Sequence, residues 1–217
     1  MSNKLNDTTQ FANPELATVI VDEESGDLSR SEVLLKGALA AGAVYGALAV
    51  GPFVRRALGA MGGSDVDILN FALTLEYLEA KFYEEAKSRA KASGELKSLV
   101  NLLASDERQH VEALTATIKK LGGKPVAEPK FDFAYSGTGG FLKLAQTFED
   151  TGVSAYNGAG PMIKSKEVLA AAGGIVQVEA RHAAAIRLQN TEEPAPEAFD
   201  PPLDEKQVLK AVEPFLA

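Results

Sequence analysis

No cysteine and no tryptophan occur anywhere in the 217 residues. The missing thiols exclude disulfides, thiolate zinc sites, cysteine nucleophiles and iron–sulfur clusters. Histidine is nearly missing as well, so any imidazole chemistry must use His110, His182 or both. Basic residues are outnumbered, 22 Lys and Arg against 30 Asp and Glu, giving a formal charge of -8. That balance argues for no nucleic-acid partner, because a phosphate backbone selects basic patches. What the chain does have is apolar matter, 46% of its residues, enough for one sizeable core with appendages.

Residues 1–28 are polar, acidic around Asp22, Glu23, Glu24 and Asp27, and lack apolar periodicity, which reads as disorder. An apolar stretch follows over 33–54, with no charge for the 18 residues from Gly37 to Val54, near the lower limit for spanning a bilayer. Ser29 to Lys36 resembles a twin-arginine export signal in which Ser31 replaces the second arginine, and Ala47-Leu48-Ala49 offers a small-residue cleavage site. We therefore expect 29–60 to be an export-signal-like or anchor segment, with membrane contact through 33–54 and an exported or membrane-attached protein. The alternatives are a helix docked on the rest of the chain and a cytoplasmic protein. The small side chains of 37–51 suit helix packing, and a homo-oligomer is expected.

Residues 64–190 carry four helical patterns. Ser64 and Asp65 are N-cap candidates for the first, whose stripe is Leu69, Ala72, Leu73, Glu76, Ala80 and Tyr83 and whose end is set near Ser93 by Gly94. The second starts near Glu95, shows Leu99, Leu103, Glu107, His110, Leu114, Ile118 and Leu121, and stops at Gly122-Gly123. Gly and Pro punctuate 122–140, a long connection. The third helix starts near Phe141 with Leu142, Ala145, Glu149, Gly152 and Tyr156 on one face. The fourth follows a cap at Ser165, with Val168, Ala172, Ile175, Glu179, His182 and Ile186. Residues 191–217 read as a Pro-rich arm with a short terminal helix over 204–216. Two helices, a long crossover and two more helices predict an all-α four-helix bundle whose long connection joins helices 2 and 3.

Glu-x-x-His occurs twice, at Glu107–His110 and Glu179–His182, and residues three apart share a helix side. Glu76 lies 31 residues before Glu107, and Glu149 lies 30 before Glu179. Antiparallel neighbours of that length bring each lone Glu level with its Glu-x-x-His pair. The halves repeat internally: Ala72-Leu73-Thr74-Leu75-Glu76 matches Ala145-Gln146-Thr147-Phe148-Glu149, and Tyr83 and Tyr156 each follow their Glu by seven residues. One Glu from each of two helices and one Glu-x-x-His from each of the other two form the ligand set of a di-iron or di-manganese carboxylate site. The candidate metal ligands are thus Glu76, Glu107, His110, Glu149, Glu179 and His182. Four carboxylates balance two divalent ions, and oxygen and imidazole donors without thiolate suit two Fe or two Mn ions.

Tyr83 and Tyr156 are either packing residues or hydrogen-bond partners of the ligand carboxylates; we expect at least one hydroxyl to reach a ligand Glu on another helix. Glu79 is an outer carboxylate or an alternative ligand, with Glu76 preferred because the repeat aligns it with Glu149. Ala80 and Gly152 are expected to leave space beside the site. Glu84, Glu85 and Glu112 read as solvated charges.

The stretches NFALTLEYLEAKFYEEA, DERQHVEAL, AQTFEDTGVSAYNGAGPMI and QVEARHAAAIR resemble the ferritin-like domain proteins that include the desiccation-related and stress-response group. The resemblance covers about 64–216 and implies a ferritin-like bundle holding Fe or Mn on the six residues named above. The symmetric ligand pattern is also similar to bacterioferritin and manganese catalase. Redox chemistry on dioxygen or peroxide, ferroxidase- or peroxidase-like and in stress protection, is the first expectation. Manganese catalase is the second, and a non-catalytic stress scaffold or metal-sequestering protein the third.

Overall fold

Capping and tertiary ties define where the first of the described helices begins. The computed structural model describes residues 63–217. The polar N-terminus expected over 1–28 and the export or anchor segment expected over 29–60 lie outside the described residues. Helix α1 spans Asp65–Arg89, and Ser64 caps it reciprocally with Asp67, the capping-box arrangement. Asp65, the other cap candidate, instead accepts hydrogen bonds from the backbone N–H groups of Lys164 and Ser165, each at 2.8 Å. The start of α1 is thereby tied to residues 164–165, far along the chain.

Helix α2 spans Gly94–Lys120, α3 Gly137–Ala159, α4 Lys166–Gln189 and α5 Glu205–Val212. Two boundaries differ from the sequence reading. Helix α1 stops at Arg89 rather than near Ser93, because Lys91 adopts a left-handed backbone at φ 53° before Gly94 does so at 55°. Helix α3 begins four residues before Phe141, at Gly137. There the side chain of Thr138 donates to the carbonyl of Ala90 at 2.9 Å and anchors the first turn against the end of α1. Ser165 caps α4 through the N–H of Val168, as its position before the apolar stripe suggested.

α1 packs chiefly on α2 and α3 on α4, with α1 also crossing α3, so two helical hairpins face each other. The connection between α2 and α3 is long but fixed. Gly122, at φ 76°, closes α2 and sends the chain back, and Asn70 then holds it through Lys124 and Val126. Further on, Arg89 donates to the Phe133 carbonyl at 2.9 Å and its guanidinium lies over the Tyr135 ring at 4.8 Å. A lone β-bridge between Phe131 and Leu216 joins this connection to the C-terminus. The terminal helix is part of the core: Val208, Val212 and Phe215 are buried together with Phe133 and Phe148. No helix among the described residues is long and apolar enough to cross a membrane.

Two apolar clusters fill the bundle. One gathers Phe82, Tyr83, Leu103, Phe141, Phe148 and Ile186. The other gathers Leu69, Leu73, Leu114, Ile118, Tyr156, Val168 and Ile175. On each of the four helices the candidate ligand falls between members of the two clusters. The fold is therefore an all-α bundle with a polar layer sandwiched between two apolar ones.

Candidate metal centre

That layer holds all six candidate ligands. Glu76, Glu107, Glu149 and Glu179 have no solvent exposure, His182 is 4% exposed and His110 9%. A carboxylate taken fully out of water costs several kcal/mol unless it is compensated. Four in one layer therefore require an explanation beyond helix packing.

The donor atoms form two overlapping sets. Glu76, Glu107, His110 and Glu179 make one; Glu107, Glu149, Glu179 and His182 make the other. Within each set the donor atoms all lie within 4.8 Å of one another. Glu107 and Glu179 belong to both. Around His110 Nδ1 stand Glu76 at 3.2 Å, Glu107 at 3.1 Å and Glu179 at 3.0 Å. Around His182 Nδ1 stand Glu107 at 2.8 Å and Glu149 at 3.6 Å. The two imidazoles face each other across the bundle, their centroids 6.2 Å apart.

His110 Nδ1 hydrogen-bonds Glu76 and Glu107, but much of the layer has no such partner. Among the described residues, six buried side-chain polar atoms lack a hydrogen-bond partner, and five of them belong to this layer: Glu107 Oε1, Glu149 Oε2, both Glu179 oxygens and His182 Nδ1. Native proteins leave few such atoms, since each costs about 1–3 kcal/mol. His182 Nδ1 lies 2.8 Å from Glu107 Oε1, yet both atoms remain without a hydrogen-bond partner. Converging orphaned oxygen and imidazole donors are compatible with divalent metal ions. The layer is a buried carboxylate–histidine cluster of a composition that binds metal.

Electrostatics agree. Burial, the largest influence, pushes Glu107 and Glu179 up to about 8. Burial and then the charge of Glu179 and Glu107 raise Glu149 and Glu79 well above the usual carboxylate range. At His110 burial works against protonation, but the carboxylates of Glu107, Glu179 and Glu76 outweigh it and raise the imidazole. The layer without cations retains protons to offset its negative charge, and bound cations would take their place.

Both tyrosines reach the cluster, and each crosses to the other hairpin. The Tyr83 hydroxyl donates to Glu149 Oε1. The Tyr156 hydroxyl donates to Glu76 Oε1 at 2.6 Å. Each tyrosine thus grips the lone Glu of the opposite half, as a two-fold arrangement requires. Burial, followed by the charge of the gripped carboxylate, raises both phenols well above their ordinary range.

Two features depart from the sequence expectation. The room beside Gly152 is filled: a Cβ there would stand 2.9 Å from Glu79 Oε1 and 3.4 Å from Glu179 Oε2. Glu79, only 3% exposed, is a fifth buried carboxylate at the cluster, outside both donor sets. The sequence reading also missed Asp106. Its Oδ2 stands 3.2 Å from His182 Nε2, on the side of the ring away from the cluster. The signal was its place immediately before Glu107, which points it from α2 toward α4. By contrast Glu84 is a solvated charge as expected, paired with Lys87 at 2.7 Å and Arg108 at 2.8 Å on the surface.

Residues 64–192, more than half of the chain, match a family model described as a ferritin-like domain. No curated protein matches the chain.

Proposed function

The chain belongs to the ferritin-like domain family, and from that premise we propose that its buried cluster holds two iron or two manganese ions and reacts with dioxygen or peroxide. The observation that carries the proposal is the pair of overlapping donor sets sharing Glu107 and Glu179. A redox-active pair, when bound, changes oxidation state by one unit per ion and so handles two electrons. Glu76 and His110 would hold one ion, Glu149 and His182 the other, and Glu107 and Glu179 would reach both.

The rest of the chemistry belongs to the chain. The two apolar clusters exclude bulk water from either end of the layer. The four ligand carboxylates are without solvent exposure, so an organic substrate of any size cannot touch them, whereas molecules as small as dioxygen or hydrogen peroxide need no open cleft. Tyr83 and Tyr156 fix one oxygen each of Glu149 and Glu76, leaving the other oxygen to turn toward the cluster. Holding a ligand carboxylate in one orientation tunes reactivity more than affinity.

The test is anaerobic Fe(II) loading of the full chain, followed by a pulse of oxygen or peroxide with the oxidation state followed spectroscopically. Oxidation within seconds is expected. Tyr83→Phe and Tyr156→Phe should each change that rate about tenfold while leaving Fe(II) affinity within a few-fold. An iron form that stays ferrous over minutes would end the iron reading. Peroxide disproportionation by the manganese form would then favour a catalase, and inertness of both forms a sequestering or scaffold role.

A further inference from the structure

We infer that the two metal positions are unequal, and that Asp106 is the positioning residue that makes the Glu149–His182 position the tighter and first-filled one. The inference rests on the dinuclear reading above and adds to it an order of loading.

The two halves supply each position with the same inner set. Each has one lone Glu, one His presenting Nδ1, the shared Glu107 and Glu179, and one tyrosine hydroxyl on the lone Glu. A difference at the histidines themselves lies on the far side of the imidazoles. His182 Nε2 has the Asp106 carboxylate at 3.2 Å. With the Nε2 proton donated to Asp106, the Nδ1 lone pair is left facing the cluster and the ring is fixed.

His110 has no such support. Asp106 precedes Glu107, and the residue that precedes Glu179 is Val178. The internal repeat therefore puts a valine where an aspartate would be needed. No side chain among the described residues hydrogen-bonds His110 Nε2. Its side chain is also the more open of the two, 11% exposed against 5% for His182. The contacts that hold His110 are all on its inner nitrogen, where an ion would replace them, so nothing holds the ring from outside and the Glu76–His110 position is the weaker and more readily exchanged. Removing a carboxylate that orients a metal-bound histidine lowers affinity about 10- to 100-fold. Asp106 is partly exposed, which places the expected gap toward the lower end of that range.

Calorimetric titration of the metal-free full chain with Mn(II) tests this, with EPR counting isolated and coupled ions. Two resolved steps are expected, separated by at least about tenfold. Asp106→Asn, close in shape, should weaken the first step about tenfold and merge the two. Val178→Asp should strengthen the second step and narrow the gap from the other side. Two equal steps in the wild type, or an Asp106→Asn variant with both affinities unchanged, would overturn the inference while leaving the dinuclear reading intact. Failure of the wild type to bind a second equivalent would instead remove the dinuclear reading itself.

Discussion

The two hairpins of this bundle carry the same pattern of buried glutamates, histidine and tyrosine and differ in what surrounds it. Glu76, Tyr83, Glu107 and His110 in the first have Glu149, Tyr156, Glu179 and His182 as counterparts in the second. The tyrosine grip is reciprocal across them. Around that shared set the halves differ at many positions, and two of these touch the cluster's surroundings: Asp106 against Val178, and Glu79 against Gly152. The shared set converges on one buried layer from four helices, which leaves little freedom in its spacing. The surroundings need only fill space and satisfy polar atoms, so they differ between the halves where the shared set does not.

The largest test separates shared from unshared ligands. Glu107→Ala should abolish one metal position and weaken the other, since that carboxylate belongs to both donor sets. Glu76→Ala and Glu149→Ala should each remove one ion and leave the second. Elemental analysis after loading reads the difference, and full stoichiometric metal in Glu107→Ala would remove that residue from the ligand set. Helical content by circular dichroism should persist in all three, because deleting a buried carboxylate also deletes its desolvation cost.

A second test uses pH. In the metal-free fold Glu107 and Glu179 are pushed to about 8 from an ordinary 4.5. Between those values the folded chain holds protons that the unfolded chain has lost. Stability of the metal-free protein should therefore fall as pH rises through that window. Metal affinity should do the opposite. Binding displaces those protons, so the apparent Mn(II) affinity should climb by at least about tenfold from pH 6 to pH 8 and then level off. A flat affinity profile would show that the shared carboxylates are already ionised.

The smallest effect concerns the second divergence. Alanine is favoured over glycine inside a helix by about 1 kcal/mol. At Gly152 the added methyl would press on the Glu79 carboxylate, and that gain should vanish. In a Glu79→Ala background Gly152→Ala should stabilise by about 1 kcal/mol. Equal thermal shifts in both backgrounds would mean that Glu79 does not depend on the missing side chain.

Much of this was legible in the sequence. Apolar spacing and the Gly-rich stops gave four helices, because a helix face repeats every three or four residues and glycine closes it. The two Glu-x-x-His motifs and the two lone glutamates pointed to one cluster through their equal separations. The tyrosine contacts followed from the same repeat. The helix ends were less legible: Lys91 takes a left-handed backbone that no residue preference announces.

What the sequence alone determined is periodic and local: helix identity, the stop at Gly122, and the six converging donors set by their register. Only the tertiary structure decided what lies between helices. It placed Asp106 behind His182, laid Glu79 over Gly152, and drew the C-terminal helix into the core against Phe148. The physical reason is that register along one helix is set by its own chain geometry. Which side chain fills a gap on a neighbouring helix depends on crossing geometry and on competition for buried space, and neither is encoded at any single position.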